Sequence, residues 1–441
     1  MNKDLKLGIS VAVVLSIIYS YYDISWGLVD DYEWIVRTKE FILSPISSYI
    51  DFQKYLISLG TIQPYIHLQY IVQYIPGIYI SPLFMHIENI FILIFTHYSL
   101  YKIISNKVHI NYLYSLLVFL IFPYTFDLFL LPSLQEKFTI PLFAYLIYKL
   151  EKAKNENYIN LFIIFIISIS IPLIKLQGAV FSLFIFLYFF YYRTKSSFIS
   201  LIGFALTIAV QAYLIFFTDS VYFVLEKTPT QLINNLFSLP NLIFISIICI
   251  SIFFASIDTN VETKIYIYGF SLSSLAIIFI LINWETYGYL YGFYSFFLCI
   301  LVPYCISSVQ ERLNFIFLDR LILVSLILVS VLSFNFFFLP RIERWSDLNN
   351  VYEILDSVEL DNKIYYCGSE GVLTFNNLNN SKNTVLFAGN FSEINDYIFY
   401  FITDDHQCDY LFTDFITNCN ILSPFTSKYN RMEVNKYTCN N

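Results

Sequence analysis

Charged residues are scarce in this chain. Only 13% of its 441 residues are Asp, Glu, Lys or Arg, whereas 57% are apolar and 20% are aromatic. A water-soluble globular protein averages about 25% charged residues, so this chain cannot present the polar surface of one. The 25 basic residues are outnumbered by 33 acids and form no basic stripe, which excludes a nucleic-acid partner.

Glycine is also scarce, with 12 residues in the whole chain. Backbone amides inside lipid must pair within their own segment, so apolar runs with so few glycines predict membrane-spanning helices. The sequence therefore predicts a mainly α fold, a polytopic membrane helix bundle over 1–340 with about eleven spans. The predicted spans are 7–22, 81–101, 112–130, 138–150, 161–173, 178–192, 198–217, 239–257, 265–283, 292–307 and 321–339.

Lysine and arginine alternate between the connecting loops. Lys137, Lys175 and Lys227 are the basic residues of one set of short loops, and the other set carries the larger number. Because cytoplasmic loops are enriched in Lys and Arg, this bias predicts a cytoplasmic amino terminus and a carboxyl-terminal tail outside the membrane. The basic residues of the predicted cytoplasmic side are Lys3, Lys6, Lys102, Lys107, Lys149, Lys152, Lys154, Arg193, Lys195, Lys264, Arg312 and Arg320.

The tail over 341–441 is long enough for a small soluble domain, which we predict to be α/β and extracytoplasmic. Most of the net negative charge of the chain lies in it, because acidic residues outnumber basic ones there. It also contains an even set of cysteines, which predicts two disulfides of unassigned pairing in an oxidising compartment: Cys367, Cys408, Cys419 and Cys439. Its pattern predicts a helix over 350–358 and strands over 363–367, 384–388, 397–403 and 410–412.

The first outer loop, 23–80, is the other long polar region, and it begins with a group of carboxylates. Asp30, Asp31 and Glu33 lie just after the first span, where charge is otherwise rare. They fit either a solvated helix start, where acids complement the helix dipole, or a functional site at the membrane surface. Amphipathic patterns predict helices lying in the interface over 31–43, 52–59 and 65–74, the first with Trp34, Ile35, Phe41 and Ile42 on the face that lies in the interface.

More polar residues lie at the same outer level of the predicted bundle. They are Asp127, Glu136, Lys137, Lys175, Gln177, His86 and Glu88. An ionisable group at membrane depth is costly, so a functional site is the default hypothesis for such a set. Lys175 also fits a side chain that snorkels to head groups, and His86 fits a hydrogen-bonded interior histidine.

This arrangement resembles the C-type glycosyltransferases, membrane enzymes that take sugars from polyprenyl-phosphate donors. The resemblance rests on an inside amino terminus, the acidic pair Asp30 and Asp31 after the first span, a long first outer loop and a soluble outer domain at the end. A second acid in the next outer loop, Asp127 or Glu136, and a lysine before a small residue, Lys175 and Gly178, are also similar to the family. Among its members, the chain looks most like bacterial enzymes that modify O-antigen or another surface glycan in the inner membrane.

The resemblance implies a role for each polar residue. Asp30, and second Asp31, would act as the base that takes the acceptor proton, while Lys137, Lys175 and Arg37 would bind the donor phosphate. A divalent cation such as Mg²⁺ or Mn²⁺ is used by some members of the family and is left open here. The remaining residues would contact substrate: Glu33, Asp127, Glu136, Gln177 and Glu88.

Two other classes of protein share this composition. A polymerase of surface polysaccharide would use a lipid-linked substrate, but that family resembles proteins with both termini inside and a large loop between later spans. A flippase or secondary transporter tends to have paired repeats and helices broken by glycine or proline, whereas this sequence has no repeat between its halves and its 12 glycines leave few breaks. The sequence therefore favours transfer of a single sugar from a polyprenyl-phosphate carrier to a glycan or lipid-linked acceptor.

Overall fold

The computed structural model is a helical bundle followed by a strand-rich tail. Within the described part of the chain, five helices are long and apolar enough to cross a membrane, which confirms the mainly α, membrane-protein prediction at that level: Lys3–Tyr21, Pro82–Ile104, Lys195–Phe217, Tyr294–Arg312 and Asp319–Asp347. The structure describes residues 2–22, 24, 31–59, 61–130, 136–152, 157–217, 236–283, 288–313, 316–343, 345–347, 363–367, 385–387, 398–404, 419–426 and 432–439.

The helices are numbered in chain order. Those of the first half are α1 (Lys3–Tyr21), α2 (Asp31–Leu43), α3 (Pro45–Ser58), α4 (Ile66–Gln69), α5 (Ile75–Tyr79), α6 (Pro82–Ile104), α7 (Tyr112–Ile121), α8 (Pro123–Leu130) and α9 (Glu136–Lys152). Those of the second half are α10 (Tyr158–Ile174), α11 (Phe181–Tyr192), α12 (Lys195–Phe217), α13 (Leu239–Ile257), α14 (Val261–Asn283), α15 (Gly288–Leu313) and α16 (Ile316–Ser333). Tighter or wider turns occupy Tyr70–Tyr74, Leu176–Val180 and Phe334–Phe338.

Short polar side chains define where several helices begin. The side chains of Asn2, Ser81, Asn111 and Asn157 each accept a hydrogen bond from a backbone amide of the first turn that follows. The predicted span 112–130 is instead two helices, α7 and α8, which meet at Phe122. Pro123 follows there and has no amide hydrogen to continue the backbone ladder, so a helix boundary replaces the single predicted helix.

The chain runs back and forth, so alternate helix termini gather at each end of the bundle. At the end where α6 finishes, Lys107 forms an ion pair with Glu262 at the start of α14, with Nζ and Oε2 2.9 Å apart. At the same end the hydroxyl of Tyr304 donates to Asp258 at 3.1 Å, and that of Tyr266 donates to Glu151. We call this the paired end. The opposite end, where α6 begins and the first loop lies, is the first-loop end.

Helices α10 and α12 approach closely along a row of small residues. Ser168 and Ser200 are buried and their hydroxyl oxygens lie 2.8 Å apart. A side chain added at Gly203 would place its Cβ 2.9 Å from Ser168 Cβ and 3.2 Å from the Phe165 carbonyl oxygen. Small residues at such a crossing allow helix backbones to pack tightly inside a membrane.

The first loop forms a packed cap of short helices, α2 to α5. Ile35 is fully buried against Tyr74 and Met85, so contrary to the prediction it is not on a surface that could lie in the interface, while Trp34 is half-buried against the same residues. Ile42, further along α2, is exposed, and its place in the interface stays a prediction. The cap is also tied down at Ile62, whose carbonyl accepts a hydrogen bond of 3.0 Å from Gln211 of α12.

The strands of the tail form one five-stranded sheet in the order β2-β1-β3-β5-β4, with β1–β2 and β1–β3 parallel and the other pairs antiparallel. The predicted strand at 410–412 and the predicted helix at 350–358 lie outside the described residues, so the α/β class of the tail stays a prediction. The strands are β1 (Lys363–Cys367), β2 (Val385–Phe387), β3 (Ile398–Asp404), β4 (Cys419–Thr426) and β5 (Met432–Cys439).

The backbone register of β4 and β5 places Cys419 opposite Cys439. Directly opposed residues of antiparallel strands have Cα atoms about 4.5–5.5 Å apart, within the range that a disulfide spans. Cys367 ends β1, and Cys408 lies outside the described residues. The register is therefore compatible with a Cys419–Cys439 bond, and the two predicted disulfides stay a prediction.

We expect Gly203→Ile to push α10 and α12 apart. Overpacking of a close contact costs about 1–3 kcal/mol, so the melting temperature of the detergent-purified protein should fall by several degrees. Ala205→Ile is the matched control, because Ala205 lies on the exposed face of the same helix. Equal melting temperatures for the two variants would contradict the close contact at Gly203.

We expect the cap to loosen in acid because of His67. The imidazole is packed against Phe41 and Tyr49, with ring centroids 4.8 and 4.7 Å apart, and burial lowers the pKa of His67 from 6.5 to about 4. The neutral ring is thus favoured in the folded cap, and stability is lost as pH falls from about 6.5 towards 4. His67→Phe should remove this dependence.

Trp34 reports on the cap, since its ring lies 6.1 Å from that of Tyr74 and 6.3 Å from that of Phe52. Its emission, read in a variant with the other three tryptophans replaced by Phe, should shift to longer wavelength over that pH range. An identical shift in His67→Phe would assign the acid sensitivity to other groups.

Candidate functional site

The first-loop end of the bundle gathers polar side chains from distant parts of the sequence. Tyr19 lies in the last turn of α1, His86 near the start of α6, and Lys137 is the second residue of α9. These helices pack side by side, α1 on α6 and α6 on α9. We call the group the polar cluster; its members are Tyr19, His86, Glu88, Asn89, Lys137 and Trp345.

Lys137 is the centre of the polar cluster. Its side chain is fully buried, and its Nζ donates a hydrogen bond of 2.6 Å to Oδ1 of Asn89. The amine also lies 5.4 Å from the ring centroid of Phe138. Lysine is almost never fully buried without a partner, and Asn89 is one partner of Lys137; the predicted binding of a donor phosphate by Lys137 stays a prediction.

Asn89 is held in one orientation by α8. Its Nδ2 donates to the carbonyl oxygens of Leu128 and Phe129, at 2.8 and 2.9 Å, in the last turn of that helix. Carbonyls at a helix end lack hydrogen-bond donors within the helix, and the Asn89 amide donates to two of them. Because both amide hydrogens are used this way, Oδ1 is left to accept from Lys137.

Glu88 brings a carboxylate to the same place. It is half-buried, and electrostatic attraction links it to Lys137. Its Oε2 is buried and has no hydrogen-bond partner among the described residues. A buried carboxylate oxygen in this state is available to accept a hydrogen bond from a bound hydroxyl group.

Aromatic rings close the polar cluster on the side of the last helix. The ring of His86 lies 5.8 Å from that of Tyr19 and 5.6 Å from that of Trp345, which it meets edge-on. Tyr19 also contacts Phe338, at 6.0 Å between centroids. The hydroxyl of Tyr19 is buried with no hydrogen-bond partner in the described part of the chain. A segment near residue 340 thus completes a site formed mainly by the first third of the chain.

Helix α2, which begins at Asp31, contacts α6. Ile35, one turn after Asp31, packs on Met85, the neighbour of His86. The predicted approach of the acidic segment to Lys137 stays a prediction. Asp30 and the side chains of Asp31 and Glu33 lie outside the described residues.

Asp127 and Glu136 belong to the two helices that supply the Lys137 network. Asp127 is in α8, one residue before the carbonyl of Leu128 that Asn89 contacts, and Glu136 is the first residue of α9. The side chains of both lie outside the described part of the structure. Their predicted contacts with substrate remain predictions. What the backbone shows is that each residue is next in sequence to a member of the Lys137 network.

Lys175 and Gln177 lie in a tight turn between α10 and α11. Lys175 is half-buried, and Gln177 is buried with an Oε1 that has no hydrogen-bond partner among the described residues. The turn closes through a 2.8 Å bond from the Gly178 amide to the Lys175 carbonyl. A Cβ at Gly178 would lie 2.6 Å from the Ile171 carbonyl oxygen, which explains the glycine.

Arg37 packs on α3. Its guanidinium carbon lies 4.9 Å from the ring centroid of Phe52 and 5.5 Å from that of Tyr55, and a nitrogen lies 3.6 Å from Glu40. These contacts hold the side chain within the cap. The resemblance implies that Arg37 binds phosphate. To do so, its guanidinium would have to leave these contacts or keep them while it also binds the phosphate.

Sequence reasoning missed Asn89, Tyr19 and Trp345. The only sequence signal for Asn89 is an amide in an apolar run, three residues after His86 and thus on the same helix face. Among the described residues, no group of three or more His, Cys, Asp and Glu is arranged to hold a metal ion.

Comparison with protein-family models gives no match for this sequence, and comparison with curated proteins gives no significant match.

We expect Asn89→Leu to destabilise the bundle by about 2 kcal/mol or more, since it removes the acceptor of a buried amine and the donor of two helix-end carbonyls. The double variant Asn89→Leu with Lys137→Met should recover part of that loss, because the Lys137 amine that had donated to Asn89 is then also absent. Melting temperatures of the single and double variants in detergent measure the coupling. Losses that simply add would contradict a direct interaction.

Proposed function

We propose that this protein is a polytopic membrane glycosyltransferase that resembles the C-type class. It would move one sugar from a polyprenyl-phosphate donor to a surface glycan or lipid-linked acceptor, outside a bacterial inner membrane. The finer topology belongs to this proposal: about eleven spans, a cytoplasmic amino terminus and a periplasmic α/β tail that helps to receive the acceptor.

The observation that carries the proposal is the environment of Lys137. When a sugar leaves its carrier, negative charge develops on the lipid phosphate, and a preorganised cation in a site of low dielectric stabilises it strongly. Asn89 holds the amine of Lys137 at 2.6 Å through a neutral oxygen, so this contact orients the amine without neutralising it. The cluster lies at one end of apolar helices, where a phosphate on a lipid chain would lie.

A base completes the chemistry. The acceptor hydroxyl must lose a proton as its oxygen bonds to the anomeric carbon and the carbon–phosphate-oxygen bond breaks, and a carboxylate is the usual base. Asp30 is the first candidate and Asp31 the second. Glu88 carries a buried oxygen beside Lys137, and it supports the proposal as a group that orients a sugar hydroxyl.

Surface glycans of a deletion strain, analysed by mass spectrometry after complementation, test the assignment. The unmodified gene should restore the mass of one sugar per acceptor, whereas Lys137→Met should lower transfer by about 100-fold or more at equal membrane abundance. Lys102→Met is the matched control, because Lys102 is exposed at the opposite end of α6. Loss of glycan chain length with every sugar retained would favour a polymerase instead.

The base is tested in the same strain with Asp30→Asn and Asp31→Asn. Removal of a general base costs about 100-fold or more in rate, so at least one variant should lose transfer while inserting normally. Full transfer by both variants would place the base elsewhere, with Glu88→Gln as the next variant to assay.

A further inference from the structure

Three cysteines of the tail lie on strands of its sheet, and the strand register fixes which of them are neighbours. In the β4–β5 ladder, Cys419 is directly opposite Cys439. Opposed residues of antiparallel strands have Cα atoms about 4.5–5.5 Å apart, and a disulfide usually spans about 4.4–6.8 Å between Cα atoms. The backbone therefore holds this pair within bonding reach.

Cys367 lies at the opposite end of the sheet. It is in register with Thr403 of β3, which is in turn opposite Glu433 of β5. At about 3.4 Å per residue, the stretch of β5 from Glu433 to Cys439 covers about 20 Å, and each step to a neighbouring strand adds about 5 Å. Cys419, on the strand beyond β5, is further still. Cysteines with Cα atoms more than about 7 Å apart cannot be joined without movement of the backbone, so Cys367 reaches neither of the other two.

These distances choose among the possible pairings. Four cysteines can form two disulfides in three ways, and two of the three ways join Cys367 to Cys419 or to Cys439. The sheet register excludes both of them. We propose that Cys419 and Cys439 form a disulfide, which leaves Cys367 and Cys408 as the second pair.

The bond is an oxidation of two thiols and needs an electron acceptor. The thiolate of one cysteine attacks an external disulfide to form a mixed disulfide, and the thiolate of the other cysteine displaces the external sulfur. The bond between the Sγ atoms of Cys419 and Cys439 forms, the external S–S bond breaks, and two electrons and two protons leave on the two thiols that are released. The co-reactant is a disulfide-bonded thiol oxidoreductase of an oxidising compartment, in keeping with a tail outside the membrane.

The sheet also indicates what the bond stabilises. β4 is an edge strand, and its ladder with β5 is irregular between Ile421 and Ser423. The pairs from Ile421–Tyr437 to Cys419–Cys439 form a short segment beyond this irregularity. A covalent link at its last pair fixes the register of the segment and joins the edge strand to β5.

Peptide mapping of the unmodified full-length protein, purified from membranes, tests the pairing. Free thiols are blocked with N-ethylmaleimide in denaturant before digestion, so that no exchange occurs. Trypsin cuts after Lys428, between Cys419 and Cys439, and chymotrypsin cuts after Tyr410, between Cys408 and Cys419. Mass spectrometry then identifies which cysteine peptides are joined.

We expect the Cys439 peptide to be joined to the Cys419 peptide and to separate from it completely on reduction. A Cys439 peptide joined to any other cysteine would overturn the proposal. So would maleimide on both Cys419 and Cys439.

Variants that move the cysteines by one place test the register. Cys439→Ser with Thr438→Cys puts the new thiol on a residue of the other sheet face, which is not opposite Cys419, so the joined peptide should be lost. Adding Asn420→Cys and Cys419→Ser should restore it, because Asn420 is opposite Thr438. A bond in the first variant, or none in the second, would contradict the pairing.

The disulfide rests on the proposed function in one respect, that the tail lies outside the membrane. Sugar transfer by the same strain separates the two proposals. Free thiols at Cys419 and Cys439 with transfer intact would overturn the disulfide and leave the transferase. The expected bond in a protein that transfers no sugar would contradict the transferase and leave the disulfide.

Discussion

A bundle this apolar has to pair its polar groups internally, and the buried amine of Lys137 is the most demanding of them. Its partner Asn89 is itself held by the last turn of α8, so one chain of hydrogen bonds joins α6, α8 and α9. Removal of any member would leave a buried donor or acceptor without a partner, which costs more than the bond contributes. This network fixes the end of the bundle to which the first loop and the last helix add their side chains.

The hydrogen-bond partners of the charged side chains differ between the two ends of the bundle. At the paired end, Lys107 meets the carboxylate of Glu262 directly, and tyrosine hydroxyls satisfy Glu151 and Asp258. In the polar cluster the contact of Lys137 with Asn89 is to a neutral oxygen, beside a half-buried Glu88. Ion pairs of the first kind suit a structural role, whereas Lys137 is the amine to which our proposed function assigns recognition of an anion.

The last helix connects these features to the tail. It packs on α7 but leaves an apolar groove towards α13 and α15, and its far end supplies Trp345 to His86. Because this helix packs on only part of the bundle, apolar side chains such as Leu328 and Val329 stay exposed.

The sequence by itself determined the helical, membrane-spanning character of the chain, because apolar composition and helix length follow from residue type alone. It also located β1 and the bounds of α2, and it selected Lys137, since ionisable residues are rare in apolar runs.

Only the tertiary structure brought Asn89 to Lys137 and Trp345 to His86, buried Ile35, and divided 112–130 at Phe122. These features depend on contacts between helices that are distant in the sequence. A period of hydrophobic residues specifies which face of a helix is apolar, but it does not specify which neighbour that face meets.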